Sequence, residues 1–285
     1  MRRLVRVMVG AFLCYGVFAP IFFFLMFAWF TPRFYLMRAR AIRNGTYGSG
    51  AYRKSVTHWQ AQCSQVYARL FARILFVKIY VYLAEGAQIT PGKSHIIISN
   101  HLSWFDTVWY PGLCEMLGLT SVRFVVKESF REHWLAYFVL TITWVEAAFA
   151  FVSRSNPRHT DLEEKIRREK DLERVREASR IALNDGGSLL TFCEGTRGSD
   201  PIIGKPRPAG FIAQTELLPA CQIVSLTQCY DGPVGPKIGT AYSYFGRTIV
   251  LDVRVFEPLA PNVDRRAWLE QEFKRKAELI RAHRS

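Results

Sequence analysis

The chain has 285 residues, of which 49% are hydrophobic and 14% aromatic. This is enough for one sizeable core, or for one domain with an anchoring segment, and it excludes two large domains. The formal net charge is +14, so the surface favours anionic partners such as phospholipid head groups, nucleic acid or a phosphorylated substrate. The six cysteines form no C-x-x-C pair, so we expect no zinc site, no disulfide framework and a reduced, cytosolic environment.

An uncharged stretch near the N-terminus predicts a membrane segment. Val7 to Thr31 is rich in phenylalanine, has arginines on both sides, and is too long for the apolar region of a cleaved signal peptide. Pro20 removes a helical hydrogen bond in its middle, which leaves two arrangements. One is a kinked helix of about 37 Å that spans the bilayer, and the other is a broken hairpin with halves of about 18 Å that do not cross it. Arginines at both ends favour the hairpin, with both flanks on the cytoplasmic side.

The composition divides the chain into residues 1–55, a membrane anchor with a basic linker, and residues 56–285, a globular domain. After an amphipathic helix at about 57–78, short β-rich runs alternate with helical stretches, which predicts an α/β domain with a mostly parallel sheet flanked by helices. The β-rich runs are KIYVYL, HIIIS, RFVVK, AFAFV, SLLTF, QIVSLT and IVLDVRV, and the helical stretches are about 104–117, 132–144, 158–184, 208–217 and 264–283. The inner stripe predicted for the charged 158–184 helix is Leu162, Ile166, Leu172, Val175 and Ile181.

A polar cluster, SNHLSWFDT, follows the apolar run HIIIS. One interpretation is purely structural: Ser103 and Asp106 have the spacing of a capping box at a helix start, and His101 is incidental. The other is catalytic. His101 would lie at the carboxyl end of a strand, where open α/β sheets place their sites, and Asp106 would reach back from the first helical turn. Asp106 would then hold one ring N–H of His101 and leave the other nitrogen to accept a proton from a bound hydroxyl.

A second polar turn, CEGTRGSD, follows the strand SLLTF. Arg197 offers a planar set of donors, Thr196 a hydroxyl and Gly195 an approachable backbone amide, next to Glu194. This is chemistry suited to holding a phosphate, although a surface loop with a solvated arginine explains the turn equally well on its own.

Together and in this order, the two turns resemble the N-H-x4-D and E-G-T-R blocks of the glycerolipid acyltransferases, the 1-acyl-glycerol-3-phosphate (lysophosphatidate) acyltransferases and their relatives. The resemblance covers about Ile79 to Tyr230. It implies that His101 is the general base, that Asp106 orients it, and that Arg197 and its neighbours Glu194 to Thr196 bind the phosphate of the acceptor.

Other blocks of the family are matched more loosely. The resemblance implies a phosphate contact from a lysine between the blocks, which nominates Lys127 in VVKESF, although Phe130 stands where the family has leucine. It also nominates Arg154 in FVSRS as a substrate-binding residue. Ser225 occupies the position of the proline in the family's usual V-P-V block. This departure affects the prediction of which acceptor the enzyme uses and leaves the predicted reaction unchanged.

The resemblance implies a membrane-bound O-acyltransferase that moves a fatty acyl group from acyl-CoA or acyl carrier protein to a lysophospholipid hydroxyl. It implies no metal and no cofactor besides the acyl donor, partners among membrane lipids and not nucleic acid, and a place on the cytoplasmic face of the inner or plasma membrane. A covalent acyl-enzyme on Cys193 is disfavoured, because that residue ends an apolar strand and no histidine stands at a motif spacing. The alternatives are a non-catalytic basic lipid-binding protein at the membrane and an acyltransferase for a non-glycerol lipid.

Overall fold

The protein is built around a single mixed sheet. The computed structural model describes residues 2–103, 105–129, 142–153, 160–195, 203–232 and 238–283. Seven strands are present in these ranges and lie in the order β1-β7-β6-β2-β5-β3-β4. They are β1 (Lys78–Leu83), β2 (His95–Ser99), β3 (Val122–Lys127), β4 (Ala150–Val152), β5 (Ser188–Phe192), β6 (Gln222–Tyr230) and β7 (Thr248–Phe256).

Most of the sheet is parallel. Strands β2 to β6 run in one direction, whereas β7 is antiparallel to β6. The edge strand β1 is parallel to β7 and therefore also runs opposite to the other strands. The two central strands β2 and β5 are almost entirely buried, including their polar residues, as expected for strands covered on both faces. The predicted α/β fold with a mostly parallel sheet is therefore confirmed.

Helices cover both faces of the sheet. The N-terminal helix α1 runs from Arg2 to Arg43. The helices after it are α2 (Gly50–Ile74), α3 (Phe105–Met116), α4 (Ile142–Glu146), α5 (Asp161–Asn184), α6 (Pro208–Leu217) and α7 (Arg265–Ala282), with a 3₁₀ segment at Ile238–Tyr244. The helix predicted at 208–217 has the predicted bounds. Most of the helix predicted at 132–144 lies outside the described residues.

The inner stripe predicted for α5 is wrong in its first two turns. Leu162 and Ile166 are 66% and 55% exposed, whereas Val175 is buried as expected. The helix meets the rest of the domain from Arg167 onward, where Arg167 Nη1 donates to the Ser153 carbonyl at 2.8 Å and the Asp171 carboxylate accepts the Ser153 N–H at 3.0 Å. The apolar side chains before this point are therefore turned to solvent.

Helix α1 is continuous, so the hairpin arrangement is wrong. It consists of the consecutive segments Arg2–Ala11, Phe12–Phe18, Ala19–Leu25, Met26–Phe30 and Thr31–Arg43, of which the second and fourth are π-helical. Pro20 and Pro32 each stand two residues after one of these π-helical segments. The wider π turns accommodate the missing proline N–H and the bulk of its ring, so the chain passes both prolines without reversing.

One side of α1 packs on the domain and the other is exposed. Cys14, Phe18, Met26, Phe30 and Phe34 form a buried stripe, in which the Phe18 ring lies 5.1 Å from that of Phe71 in α2 and the Phe34 ring 5.3 Å from that of Trp59. The exposed side carries Phe12, Phe24, Phe27 and Trp29. By length and composition the 40-residue helix Leu4–Arg43 is long and apolar enough to cross a membrane, which makes it a candidate anchor.

The linker between α1 and α2 is shorter than the basic segment suggested. Helix α2 begins at Gly50 rather than near residue 57, because Ser49 caps it by accepting the Tyr52 N–H at 3.2 Å and because Tyr52 and Val56 are buried. The division into residues 1–55 and 56–285 stays a prediction.

Candidate active site

The two polar turns meet at the carboxyl edge of the central strands. Strands β2 and β5 are parallel neighbours whose last residues, Ser99 and Phe192, are paired, so the turns that follow them leave the sheet side by side. The His101 N–H donates to Glu194 Oε1 at 3.0 Å, which joins the first turn to the second directly.

His101 and Asp106 form the predicted pair. His101 Nδ1 lies 3.0 Å from Asp106 Oδ2, and the His101 ring stacks on that of Phe192 with centroids 4.2 Å apart. Because a carboxylate only accepts, this geometry puts the imidazole proton on Nδ1. In the described part of the chain no residue hydrogen-bonds Nε2, and His101 lines a cavity. The ring can therefore accept a proton at Nε2 while Asp106 holds its other side.

Asp106 is itself fixed by backbone donors. Its Oδ2 also accepts the Leu102 N–H at 2.8 Å and the Ser103 N–H at 2.9 Å, and the residue is fully buried in the first turn of α3. The carboxylate half of the predicted capping box is thus present and belongs to the same arrangement as the contact with His101. The structural and catalytic interpretations of SNHLSWFDT are compatible.

Two buried tyrosines complete the shell around Asp106, and sequence reasoning missed both. Tyr230, the last residue of β6, donates its hydroxyl to Asp106 Oδ1 at 2.8 Å. Tyr244 lies 3.2 Å from Tyr230, hydroxyl to hydroxyl, and donates to Ser103 Oγ. Burial raises the pKa of both phenols well above the ordinary value, so they stay protonated donors. No motif marks them, since they reach the site from more than a hundred residues along the chain.

Asn100 of the N-H-x4-D block ties the first turn to β6. Its amide Nδ2 donates to the Gln228 carbonyl at 3.0 Å, and its Oδ1 accepts the Gln228 N–H at 2.8 Å. Two hydrogen bonds to one backbone residue fix the strand end from which His101 emerges, so Asn100 acts on the position of the turn.

Glu194 braces the second turn. Its Oε1 accepts the His101 N–H, its Oε2 accepts the Gly204 N–H at 3.0 Å, and the side chain is buried. Burial raises the pKa of this carboxyl to about 7, and the two backbone donors oppose the rise. Gly195 follows with φ +69°, a left-handed conformation that favours glycine.

The described basic residues of the site lie around these turns. Lys127, at the end of β3, lines the same cavity as His101 and Gly195. Lys205 and Arg207, which sequence reasoning missed, are exposed beside Glu194, and a side chain on Gly195 would lie 3.1 Å from Arg207 Cδ. The only sequence signal for them is the basic run GKPRP before α6. Thr196, Arg197 and Arg154 lie outside the described residues.

An apolar cavity of about 200 Å³, here called the His101 cavity, opens beside the pair. Phe22 and Met26 of α1 contribute to its lining, together with one side of α2 and apolar side chains of β3 and β4. The candidate membrane helix therefore supplies part of the wall of this cavity.

Two further positions bear on the chemistry. Cys193 is buried and its pKa is raised to about 12 by burial, so the thiol is not suited to be a nucleophile. Ser225, which replaces the family's usual proline, is buried in β6 and donates its hydroxyl to Glu272 of α7 at 2.6 Å. The departure therefore serves the packing of α7 on the sheet.

Comparisons with known proteins agree with this site. The model of the acyltransferase family matches residues 81–235, more than half of the chain, including both turns. A solved structure of the 1-acyl-sn-glycerophosphate (LPA) acyltransferase PlsC from Thermotoga maritima is 16% identical, with full coverage of both chains and a TM-score of 0.57. No curated protein sequence matches.

The chain belongs to the acyltransferase family. The predicted acyltransferase is confirmed at the level of the family, and the predicted fold is shared with the solved PlsC structure.

Proposed function

We propose that the protein is a membrane-associated acyltransferase that moves a fatty acyl group from acyl-CoA or acyl carrier protein to the hydroxyl of a lysophosphatidate-like lysophospholipid. The observation that carries the proposal is the His101–Asp106 hydrogen bond beside an apolar cavity that also reaches Lys127 and Gly195. This arrangement combines a base, a place for an acyl chain and a cationic side chain, that of Lys127, in one pocket.

His101 is the general base in this scheme. With its Nδ1 proton held by Asp106, Nε2 takes the proton of the acceptor hydroxyl as that oxygen attacks the thioester carbonyl. The new C–O bond forms, the C–S bond breaks, and the leaving thiolate takes the proton back from the imidazolium. General-base assistance of this kind contributes about 10²- to 10⁴-fold, and correct positioning of the two substrates supplies much of the rest.

The acceptor phosphate binds at the second turn. Arg197 and Thr196 supply charge-assisted and hydroxyl contacts, Lys127 approaches from the cavity, and Arg154, two residues after β4 in the sequence, is a further candidate for a contact with the substrate. Glu194 contributes by bracing this turn against His101, since both of its carboxylate oxygens accept backbone N–H groups. Lys205 and Arg207 add positive charge beside it.

Helix α1 seats the enzyme on the cytoplasmic membrane face. The helix contacts the domain near both ends: Gly10 packs against Tyr242 and Phe245, and Arg38 forms an ion pair with Glu146 at 2.7 Å. Between these contacts the buried side chains of Phe18, Met26 and Phe30 also hold the helix on the domain, so no segment of about 30 Å is free to cross a bilayer separately from the domain. Its exposed aromatic side therefore lies in the lipid, with the Arg33 guanidinium stacked over the Trp29 ring at 3.9 Å.

An acceptor panel tests the proposal. Membranes containing the protein receive labelled acyl-CoA or acyl-(acyl carrier protein) with lysophosphatidate, two lysophospholipids with substituted phosphates, or monoacylglycerol, and membranes lacking the protein serve as control. We expect the fastest transfer to lysophosphatidate and the slowest to monoacylglycerol, which has no phosphate. The absence of transfer to every lysophospholipid from both donors would refute the proposal.

A further inference from the structure

Helix α2 gives the His101 cavity one polar wall. Gln60, Ser64 and Tyr67 recur at the spacing of one helix face and all line the cavity. Phe124 and Phe149 belong to the apolar remainder of the lining. An unsubstituted hydrocarbon chain has no use for hydrogen-bonding groups, so a polar wall in a cavity suited to an acyl chain requires an explanation.

The Gln60 amide nitrogen is unpaired among the described residues. The side chain is only 8% exposed, and Nε2 is buried without a hydrogen-bond partner in the part of the chain that the structure describes. Buried donors are nearly always satisfied in native proteins, and each exception has a cost in stability. A group left unpaired on a cavity wall is suited to a ligand that brings the missing acceptor.

Ser64 lies one helical turn further along the same wall. Its oxygen accepts the Gly112 N–H of α3 at 2.9 Å, and among the described residues no acceptor takes its hydroxyl proton. The Ser64 oxygen is therefore fixed by the contact between α2 and α3 while its proton remains available. Together Gln60 and Ser64 offer donors, and the Gln60 amide oxygen offers an acceptor.

We propose that this wall is a subsite for an oxygen-bearing acyl chain, a fatty acyl group with a hydroxyl or keto function on the chain, and that Gln60 is its specificity-determining residue. A chain hydroxyl can accept from Gln60 Nε2 and donate to Oε1, so one substituent pairs with both polar atoms of the amide. A site built to hydrogen-bond a hydroxyl discriminates strongly against the analogue that lacks it. The inference rests on the proposed function, because it assigns the cavity to the acyl donor.

Matched donors and variants test the subsite. Hexadecanoyl donors with one hydroxyl at successive carbons are compared with the unsubstituted donor, with kcat/KM measured for each. The variants are Gln60→Leu and Gln60→Met, which keep the bulk of the side chain without the amide. Gln62→Leu is the control, because Gln62 lies on the exposed side of the same helix, where it contacts His58.

For at least one hydroxyl position we expect wild type to prefer the hydroxylated donor by about tenfold or more, as expected for a hydroxyl that pairs with a buried polar group. Both Gln60 variants should lose this preference, and Gln62→Leu should retain it. The subsite is refuted if wild type transfers the unsubstituted chain best, or if the Gln60 variants keep the wild-type ratio. It is also refuted if they raise only the KM of the acceptor, which would assign the amide to the acceptor. A wild type that transfers no acyl chain at all refutes the proposed function as well, so the two failures are distinguishable.

Discussion

At the scale of single residues, the candidate site is a hydrogen-bonded pair of His101 and Asp106, and residues far along the chain help to orient this pair. Asp106 accepts from two backbone amides, from His101 and from Tyr230. The local donors could be expected from SNHLSWFDT, because a strand end followed by a capping pattern brings a carboxylate back over the preceding turn. The contact with Tyr230 could not be expected from the sequence, because it depends on which strand lies beside β2. Local residue patterns do not determine the order of the strands.

Removing the Tyr230 hydroxyl should slow catalysis without weakening substrate binding. In Tyr230→Phe the Asp106 carboxylate loses a donor in a buried site, where a hydrogen bond to a charged group contributes about 1.5–3 kcal/mol. We expect kcat to fall by about tenfold, the lower end of that range, with KM nearly unchanged. Tyr80→Phe on the exposed edge strand β1 is the control. A normal kcat in Tyr230→Phe, or a rise in KM alone, would contradict this role.

Glu194 should make the stability of the protein depend on pH. Its pKa of about 7 in the folded state lies above the ordinary value of 4.5, so between these values the unfolded chain releases the proton first. The contribution of Glu194 to stability is therefore complete below about pH 4.5 and is lost as the pH rises to 7, by about 3 kcal/mol at most.

Thermal unfolding of wild type and Glu194→Gln in detergent, measured from pH 5 to 7, tests this. The variant does not titrate at this position, so the stability of wild type relative to the variant should decline as the pH rises. The comparison concerns the slope, since glutamine cannot accept from both backbone N–H groups and the variant is less stable throughout. A difference that stays constant or grows with pH would show that burial does not dominate at Glu194.

At the scale of the elements, apolar runs bounded by turn residues were sufficient to predict the strands, because buried parallel strands have almost no polar positions. The predictions of burial and of helix continuity failed where the result depended on a neighbouring segment of the structure. Leu162 and Ile166 have helical spacing but lie beyond the contact of α5 with the domain. Pro20 was expected either to kink α1 or to break it into a hairpin, with the hairpin favoured, and a preceding π-helical segment accommodates the proline in a continuous helix.

The contact between α2 and α3 should be sensitive to a single methyl group. A Cβ on Gly112 would lie 2.8 Å from the backbone nitrogen of Gln65 and 3.0 Å from the carbonyl oxygen of Ala61. Gly112→Ala should therefore lower the free energy of unfolding by about 1–3 kcal/mol, as expected for overpacking. In Gly210→Ala, on α6, a Cβ meets nothing within 4 Å, so this variant should be as stable as wild type or more stable. Equal stability of the two variants would contradict the close approach of α2 and α3.

At the scale of the whole molecule, composition and motifs predicted a basic α/β enzyme with an apolar N-terminal helix. They did not predict that α1 lies along the domain and supplies a wall of the His101 cavity through Phe22 and Met26. This packing depends on long-range contacts such as that of Phe22 with Tyr67, whose ring centroids are 4.4 Å apart. An amphipathic pattern shows that one side of a helix is buried, but it does not show which element of the protein packs against that side.

Exposed aromatic residues of α1 should carry the attachment to membranes. Burying one phenylalanine contributes about 1.5–3 kcal/mol, so Phe24→Ser combined with Phe27→Ser should weaken binding to anionic vesicles by more than about tenfold in a sedimentation assay. Leu162→Ser is the control, because Leu162 is equally exposed but lies on the charged helix α5. Unchanged binding of the double variant, or equal loss in the control, would exclude α1 as the attachment surface.

The central claim is that His101 is the base for acyl transfer. Its most direct test is the rate of labelled acyl transfer to lysophosphatidate by purified wild type, His101→Ala and His58→Ala, with His58 exposed on α2 as the matched control. We predict a loss of at least about 10²-fold for His101→Ala and none for His58→Ala. Transfer by His101→Ala at the wild-type rate would contradict the account.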